Sequence, residues 1–213
     1  MVISLRDPVS GLTHLIGAVL AVLATVLLVV RVSSPAMPWH IVTFSIFGGA
    51  MILLYTASTL YHWLPVSEKW VRFLRRVDHS MIFCYIAATY TPICLIPLRG
   101  PWGWSIFGVI WGLALGGIAM KVFWLNAPRW FSTAVYLAMG WLVLVGIYPL
   151  VRELSPAALA WLAVGGLVYS AGAVIYALRR PDPWPKKFGF HEIFHLFVIG
   201  GSFCHFVLMY WFI

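Results

Sequence analysis

Long hydrophobic runs, separated by short polar connections, follow one another along nearly the whole chain. Runs of about 20 apolar residues are typical of membrane-spanning α-helices, because that length crosses the hydrocarbon core of a bilayer. The pattern predicts seven spans, at residues 10–32, 39–63, 79–98, 103–123, 130–151, 157–178 and 189–212. We therefore expect an all-α, integral membrane bundle of seven transmembrane helices that forms a single domain over residues 1–213.

The connections between the runs carry the proline, glycine and charged residues that typically end helices, as in Arg99-Gly100-Pro101. The lysines and arginines in these connections are unevenly distributed. On the N-terminal side of the seven-span arrangement lie Arg6, Lys69, Arg72, Arg75, Arg76, Lys121, Arg129, Arg179, Arg180, Lys186 and Lys187, and on the other side lie Arg31, Arg99 and Arg152. Since positive charge is enriched on the cytoplasmic side, the N-terminus is predicted to be cytoplasmic and the C-terminus outside.

The composition fits an integral membrane protein, since 62% of the residues are hydrophobic and only 9% are charged. The net charge of +8 would suggest nucleic-acid binding in a soluble protein. Here the basic residues lie in the connections, where they orient the helices and meet anionic lipid headgroups, so we expect membrane lipids as partners and no nucleic acid. The expected location is the cytoplasmic (inner) membrane of a bacterium.

Five of the seven histidines are predicted to lie at one level, at the cytoplasmic ends of four spans. They are His14, His62, His79, His191 and His195. Ionisable groups at membrane depth usually face the interior of the bundle and serve a function. Any one of them taken alone is also compatible with an interfacial histidine that is hydrogen-bonded to the backbone.

His191 and His195 are four residues apart, so they share one face of the last helix. His62, at the end of the second span, lies at the same level. Three neutral imidazoles suit zinc, and three protein ligands with an open fourth position are typical of a catalytic site. Asp78 could take a proton from the water in that position, and Ser58, one helical turn before His62, could orient the water or a substrate carbonyl.

The same stretch, His191-Glu192-Ile193-Phe194-His195, also matches the HExxH pattern of zinc proteases. In a protease of this type Glu192 would face the water on the metal. Glu192 lies about 100° around the helix from His191, so it need not face the metal. The alternative is an interfacial acid near Lys186 and Lys187, at the positive end of the helix dipole.

Three further histidines have other predicted roles. His14 and His79 are candidates for contacts around the metal ligands, or are satisfied interfacial histidines. His205 lies ten residues beyond His195, about 15 Å deeper in the membrane, and is predicted to make a buried hydrogen bond, to Ser202 or to another helix.

Ser58-xxx-His62, Asp78 and His191-xxx-His195 together resemble the signature of the hemolysin III and progestin/adiponectin-receptor (PAQR) family. Residues 6–14, Arg-Asp-Pro-Val-Ser-Gly-Leu-Thr-His, are similar to its first motif. In that motif Ser10 stands where the family usually has Asn, and Asp7 where an acidic residue, often Glu, is usual. The resemblance covers essentially the whole chain and points to the bacterial branch.

The resemblance implies a seven-span bundle with one zinc ion held by three histidines near the cytoplasmic face, with the aspartate reaching the metal through water. It also implies kinship with alkaline ceramidases, so a zinc-dependent hydrolase of a lipid amide or ester bond is the leading hypothesis. The alternatives are a receptor or membrane-homeostasis protein with structural zinc, and a hemolysin-type cytolytic protein. The sequence does not determine the oligomeric state.

Overall fold

A computed structural model of the chain describes residues 5–185 and 187–213, and these residues form helices and no β-strand. The helices are α1 Pro8–Arg31, α2 Pro38–Trp63, α3 Glu68–Leu95, α4 Pro101–Phe123, α5 Arg129–Gly140, α6 Ile147–Glu153, α7 Pro156–Leu178 and α8 Phe190–Phe212. A 3₁₀ segment, Trp141–Gly146, joins α5 to α6. The all-helical prediction is therefore confirmed for the described part of the chain.

Six segments within the described residues are long and apolar enough to cross a membrane: α1, α2, α4, the α5–α6 segment, α7 and α8. Four of them begin with proline in the first turn, where the missing backbone N–H removes no helical hydrogen bond. The chain is thus a multi-pass membrane protein.

The third helix differs from its prediction. It begins at Glu68 and not at residue 79, so the charged run Lys69–Arg76, which we placed in a connection, forms the first turns of α3. Proline and glycine are absent from this stretch, and its lysines and arginines are good helix formers. α3 is not among the segments that are long and apolar enough to qualify as spans by composition.

The fifth predicted span, 130–151, is interrupted by the 3₁₀ segment. The hydroxyl of Tyr90, on α3, lies 2.8 Å from the carbonyl oxygen of Met139 and 2.7 Å from that of Gly140. It also accepts a hydrogen bond from the backbone N–H of Val143 at 2.8 Å. A side chain that inserts into the backbone ladder in this way disrupts the regular α-helical pattern, which accounts for the break.

Helices adjacent in the chain pack against each other, and α1 also packs against α8. In the interior of the bundle, the hydroxyl of Ser202 on α8 lies within 3.1 Å of the hydroxyls of Tyr55, Tyr85 and Tyr169. These tyrosines come from α2, α3 and α7, so one serine links four helices. The packing brings the start of α1, the end of α2 and the start of α8 together.

Candidate metal centre and cavity

Three histidines from two helices converge where α2 ends and α8 begins. One ring nitrogen of each of His62, His191 and His195 lies within 4.8 Å of the others. The Nε2 atoms of His62 and His191 are 3.1 Å apart. His62 and His195 are buried and His191 is partly buried. The three predicted metal ligands are therefore brought together, although 129 residues separate His62 from His191 in the chain.

The spacing of the His62 and His191 nitrogens fits a tetrahedral ion. Two nitrogens bound at about 2.0–2.1 Å to one tetrahedral zinc lie roughly 3.3 Å apart, close to the 3.1 Å between His62 and His191. Neutral imidazole is a ligand that zinc shares with copper, iron and nickel. The group can hold a metal ion, and the distance between these two nitrogens is compatible with zinc.

The ring orientations of two of these histidines are fixed by residues at the start of α1. Nδ1 of His62 lies 3.2 Å from a carboxylate oxygen of Asp7. Nδ1 of His195 lies 3.0 Å from the hydroxyl of Thr13 and 3.3 Å from the carbonyl oxygen of Ser10. With Nδ1 engaged, each ring presents Nε2 to a metal, an arrangement that is common among metal-binding histidines.

Hydrogen bonds to backbone carbonyl oxygens hold the start of α1 against the end of α2. The N–H of Asp7 donates to the carbonyl oxygen of His62 at 2.9 Å. The indole N–H of Trp63 donates to the carbonyl oxygen of Pro8 at 3.0 Å. The roles of Asp7 and Thr13 were not predicted individually, since spacing alone shows nothing about how the start of α1 contacts α2 and α8. The resemblance of residues 6–14 to a family motif was the available signal.

Glu192 does not face the three histidines in the manner of a protease. Its carboxylate accepts a hydrogen bond from the backbone N–H of Gly189 at 2.8 Å, which caps the first turn of α8, and another from the hydroxyl of Ser10. Glu192 therefore joins α8 to α1. Its expected neighbour Lys186 lies outside the described residues.

Asp78 and Ser58 lie next to each other in the wall of a cavity of about 220 Å³ that also reaches His191 and His195. Ser58 is 2% exposed and Asp78 is 9% exposed. The carboxylate of Asp78 is not part of the group of ligand atoms within 4.8 Å. Its position is thus compatible with a partner of water or substrate and not with a direct ligand.

The remaining histidines on this side also line the cavity. The ring of His14 stacks on that of His195, with the centroids 3.5 Å apart, and both of its nitrogens are buried without a hydrogen-bond partner in the described structure. His79 Nε2 lies 3.9 Å from a carboxylate oxygen of Asp78. Both residues therefore touch the candidate site, as contacts around it.

His205 lies farther along the cavity. Its Nδ1 is 2.8 Å from the carbonyl oxygen of Gly201, one turn earlier on α8, and its ring stacks on that of Tyr169. The predicted buried hydrogen bond exists, but its partner is this carbonyl and not Ser202, whose hydroxyl donates to Val198.

Fold and site define the chain as a multi-pass helical membrane protein with three histidines that can hold a metal ion beside an internal cavity. The family model described as "Haemolysin-III related" matches residues 4–206. The chain therefore belongs to the haemolysin-III-related family.

Individual relatives agree with this assignment. The chain is 42% identical to a "Hemolysin-3 homolog" of Bacillus subtilis, over 91% of this chain and 87% of the relative, and 42% identical to a "Hemolysin-3" of Bacillus cereus, over 91% and 85%. It is 26% identical to an "Adiponectin receptor protein" of Drosophila melanogaster, over 91% of this chain and 48% of that protein. The resemblance to the hemolysin III and PAQR family is confirmed.

Proposed function

We propose that the protein is a zinc-dependent membrane hydrolase that cleaves a lipid amide or ester bond, with one zinc ion per chain held by His62, His191 and His195. The observation that carries this proposal is a three-histidine group, two members of which, His191 and His195, line a cavity whose wall also contains a buried carboxylate, Asp78. Ceramidase-like chemistry is the nearest description of the reaction.

In the proposed topology α3 is the seventh span. Its last turns, from Ala87 to Leu95, are uncharged and buried among the other helices, while its charged first turns extend toward the cytoplasm. The bias of lysine and arginine then places the N-terminus in the cytoplasm and the C-terminus outside. Residues 1–213 form one transmembrane domain in the bacterial cytoplasmic membrane, with the three histidines near its cytoplasmic face.

A bound zinc ion would polarise a substrate carbonyl and lower the pKa of a water molecule. The protein supplies the remaining functions. Asp7 and Thr13 orient the imidazoles through their Nδ1 atoms. Asp78 lies in the cavity wall without being held as a ligand, so it can accept the proton of the attacking water and return it to the leaving amine or alcohol.

Ser58 supports this role of Asp78. Its hydroxyl lies beside the carboxylate in the same wall, and both side chains are buried. A hydroxyl in that position can donate a hydrogen bond to the carboxylate or to the carbonyl of a substrate. The short distance in sequence from Ser58 to His62, one helical turn, places this donor on the face of α2 that carries a metal ligand.

The test is fatty-acid release from a panel of acyl amide and acyl ester lipids by the purified, zinc-loaded full chain. Asp78→Asn should lower turnover by about 10²–10⁴-fold, because general acid–base catalysis contributes about that much, while zinc content is unchanged. His62→Ala should lose both. Glu153→Gln removes an exposed acid elsewhere and should change neither. Turnover in Asp78→Asn equal to wild type would contradict the proposal.

A structural zinc in a receptor or homeostasis protein is the second candidate. The ligands lie on α2 and α8 and are bonded to α1, so a metal there would link three helices. If no lipid is hydrolysed and chelation lowers the melting temperature in detergent, this second function is favoured over the first.

A further inference from the structure

In addition to the histidines and Asp78, the cavity wall carries one lysine and two arginines. They are Arg75 from α3, Lys121 from the last turn of α4 and Arg129, the first residue of α5. Arg75 and Lys121 both lie close enough to His79 for their charges to act on it. Three helices therefore bring positive charge to one end of the cavity, the end that also holds Asp78 and His191.

Lys121 is the most informative of the three, because it is 2% exposed. Its ammonium donates one hydrogen bond, to the hydroxyl of Ser132 at 2.6 Å. Within the described residues it forms no ion pair, and an ammonium has three donors. A buried charge without a counterion is costly, and at membrane depth such residues usually mark a binding site or pathway.

The contacts that hold Arg129 in place use only some of its hydrogen-bond donors. Its guanidinium lies over the ring of Tyr176, 4.6 Å from the centroid, and donates to the carbonyl oxygen of the same residue at 3.3 Å. A guanidinium has five N–H donors. Among the cavity-lining residues that the structure describes, Asp78 is the one acid, so the wall carries more positive than negative charge.

The rest of the cavity is different in character. Beyond the basic end its wall is formed by apolar and aromatic side chains, including Ile82, Ile86, Leu137, Trp141 and Val198. A cavity with a charged end and an apolar body matches an amphiphile, with the headgroup at the charged end and the acyl chain along the apolar body.

We propose that Arg75, Lys121 and Arg129 form a headgroup subsite for an anionic lipid, one that carries a phosphate or carboxylate group, and that this is the class of lipid that the cavity takes. As a statement about substrate, the inference rests on the proposed hydrolase function. As a statement about binding, it is independent of turnover, and the experiment measures binding.

The probes are an ether-linked alkyl glycerol phosphate, its uncharged alkyl glycerol counterpart, and inorganic phosphate alone. The ether bond has no carbonyl to hydrolyse, so the result does not depend on catalysis. Binding is measured by calorimetry on the zinc-loaded full chain in a fixed concentration of non-ionic detergent. The phosphate-bearing lipid should bind at least about tenfold tighter than the uncharged one, since hydrogen bonds to charged groups contribute that much.

Lys121→Met keeps the length of the side chain and removes its charge, and it should weaken binding of the phosphate lipid by about tenfold to a hundredfold. Lys121→Arg should retain the preference. Lys69→Met, at an exposed lysine of α3, is the matched control and should leave binding unchanged. Arg129→Gln provides a second test of the subsite if Lys121→Met fails to fold.

Equal affinity for the two lipids, or equal effects of Lys121→Met and Lys69→Met, would overturn the subsite. Inorganic phosphate that binds as tightly as the phosphate lipid would overturn its assignment to a lipid headgroup. A clear preference for the phosphate lipid in a chain that hydrolyses no lipid would uphold the subsite and refute the hydrolase. Hydrolysis of neutral lipids without any such preference would uphold the hydrolase and overturn the subsite.

Discussion

Removal of the Asp7 carboxylate tests the arrangement around the three histidines. Its oxygen lies 3.2 Å from Nδ1 of His62 and holds the ring so that Nε2 faces His191. Loss of such a partner typically lowers metal affinity by about 10–100-fold. The Asp7 side chain is 48% exposed, so solvent screens the interaction. We therefore expect Asp7→Ala to weaken zinc binding at the lower end of this range, by about tenfold, or about 1.4 kcal/mol.

The assay is competition for zinc between the purified protein and a chromophoric chelator of known affinity. Glu68→Ala is the control, because Glu68 is an exposed acid that pairs with Arg72 at 3.4 Å, on the surface of α3. The reasoning is refuted if Asp7→Ala and Glu68→Ala bind zinc with the same affinity as wild type.

Two further predictions concern the site and the packing. Thr13→Val removes the hydroxyl 3.0 Å from Nδ1 of His195 and should weaken zinc binding several-fold. Thr25→Val is the control, because it removes a hydroxyl that is bonded within its own helix, and it should leave zinc binding unchanged. The chelator competition measures both variants, and equal zinc affinities would contradict the prediction. A methyl group at Gly48 would overlap the side chain of Thr25, while one at Gly49 would meet open space. Gly48→Ala should therefore destabilise the protein by about 1–3 kcal/mol, and Gly49→Ala should be neutral or slightly stabilising, as thermal unfolding in detergent will show. Equal stability of the two variants would contradict this packing.

Hydrophobic run length was sufficient to predict five of the helices, because each span must satisfy its backbone hydrogen bonds within itself. The ends of α1, α2, α4, α7 and α8 lie within two residues of their predictions. The start of α3 was predicted too late, at residue 79 and not at Glu68, because lysine and arginine lower the hydropathy of a segment without lowering its helix propensity. The break in the fifth span depends on Tyr90, a residue on another helix, and no local pattern shows it.

The candidate site, too, could be predicted only in part from the sequence. The i,i+4 spacing of His191 and His195 is a local property, and the position of His62 followed from its level in the membrane. The contacts of Asp7 and Thr13 depend on how α1 packs against α2 and α8, which the sequence pattern does not determine. Lys121 and Arg129 were assigned to lipid-facing connections because a charge count contains no information on where a side chain points; the structure places both in the cavity wall.

Metal content is the most direct test of the central claim, that these three histidines hold zinc. It is measured by mass spectrometry on purified wild type, on the double variant His191→Ala/His195→Ala, and on His40→Ala as the control. His40 lies at the other end of the bundle, where its ring contacts the carbonyl oxygen of Ile213. The account predicts about one zinc per chain in wild type and His40→Ala, as for a three-histidine site, and none in the double variant. Wild-type protein without zinc, or a double variant that retains it, would contradict the claim.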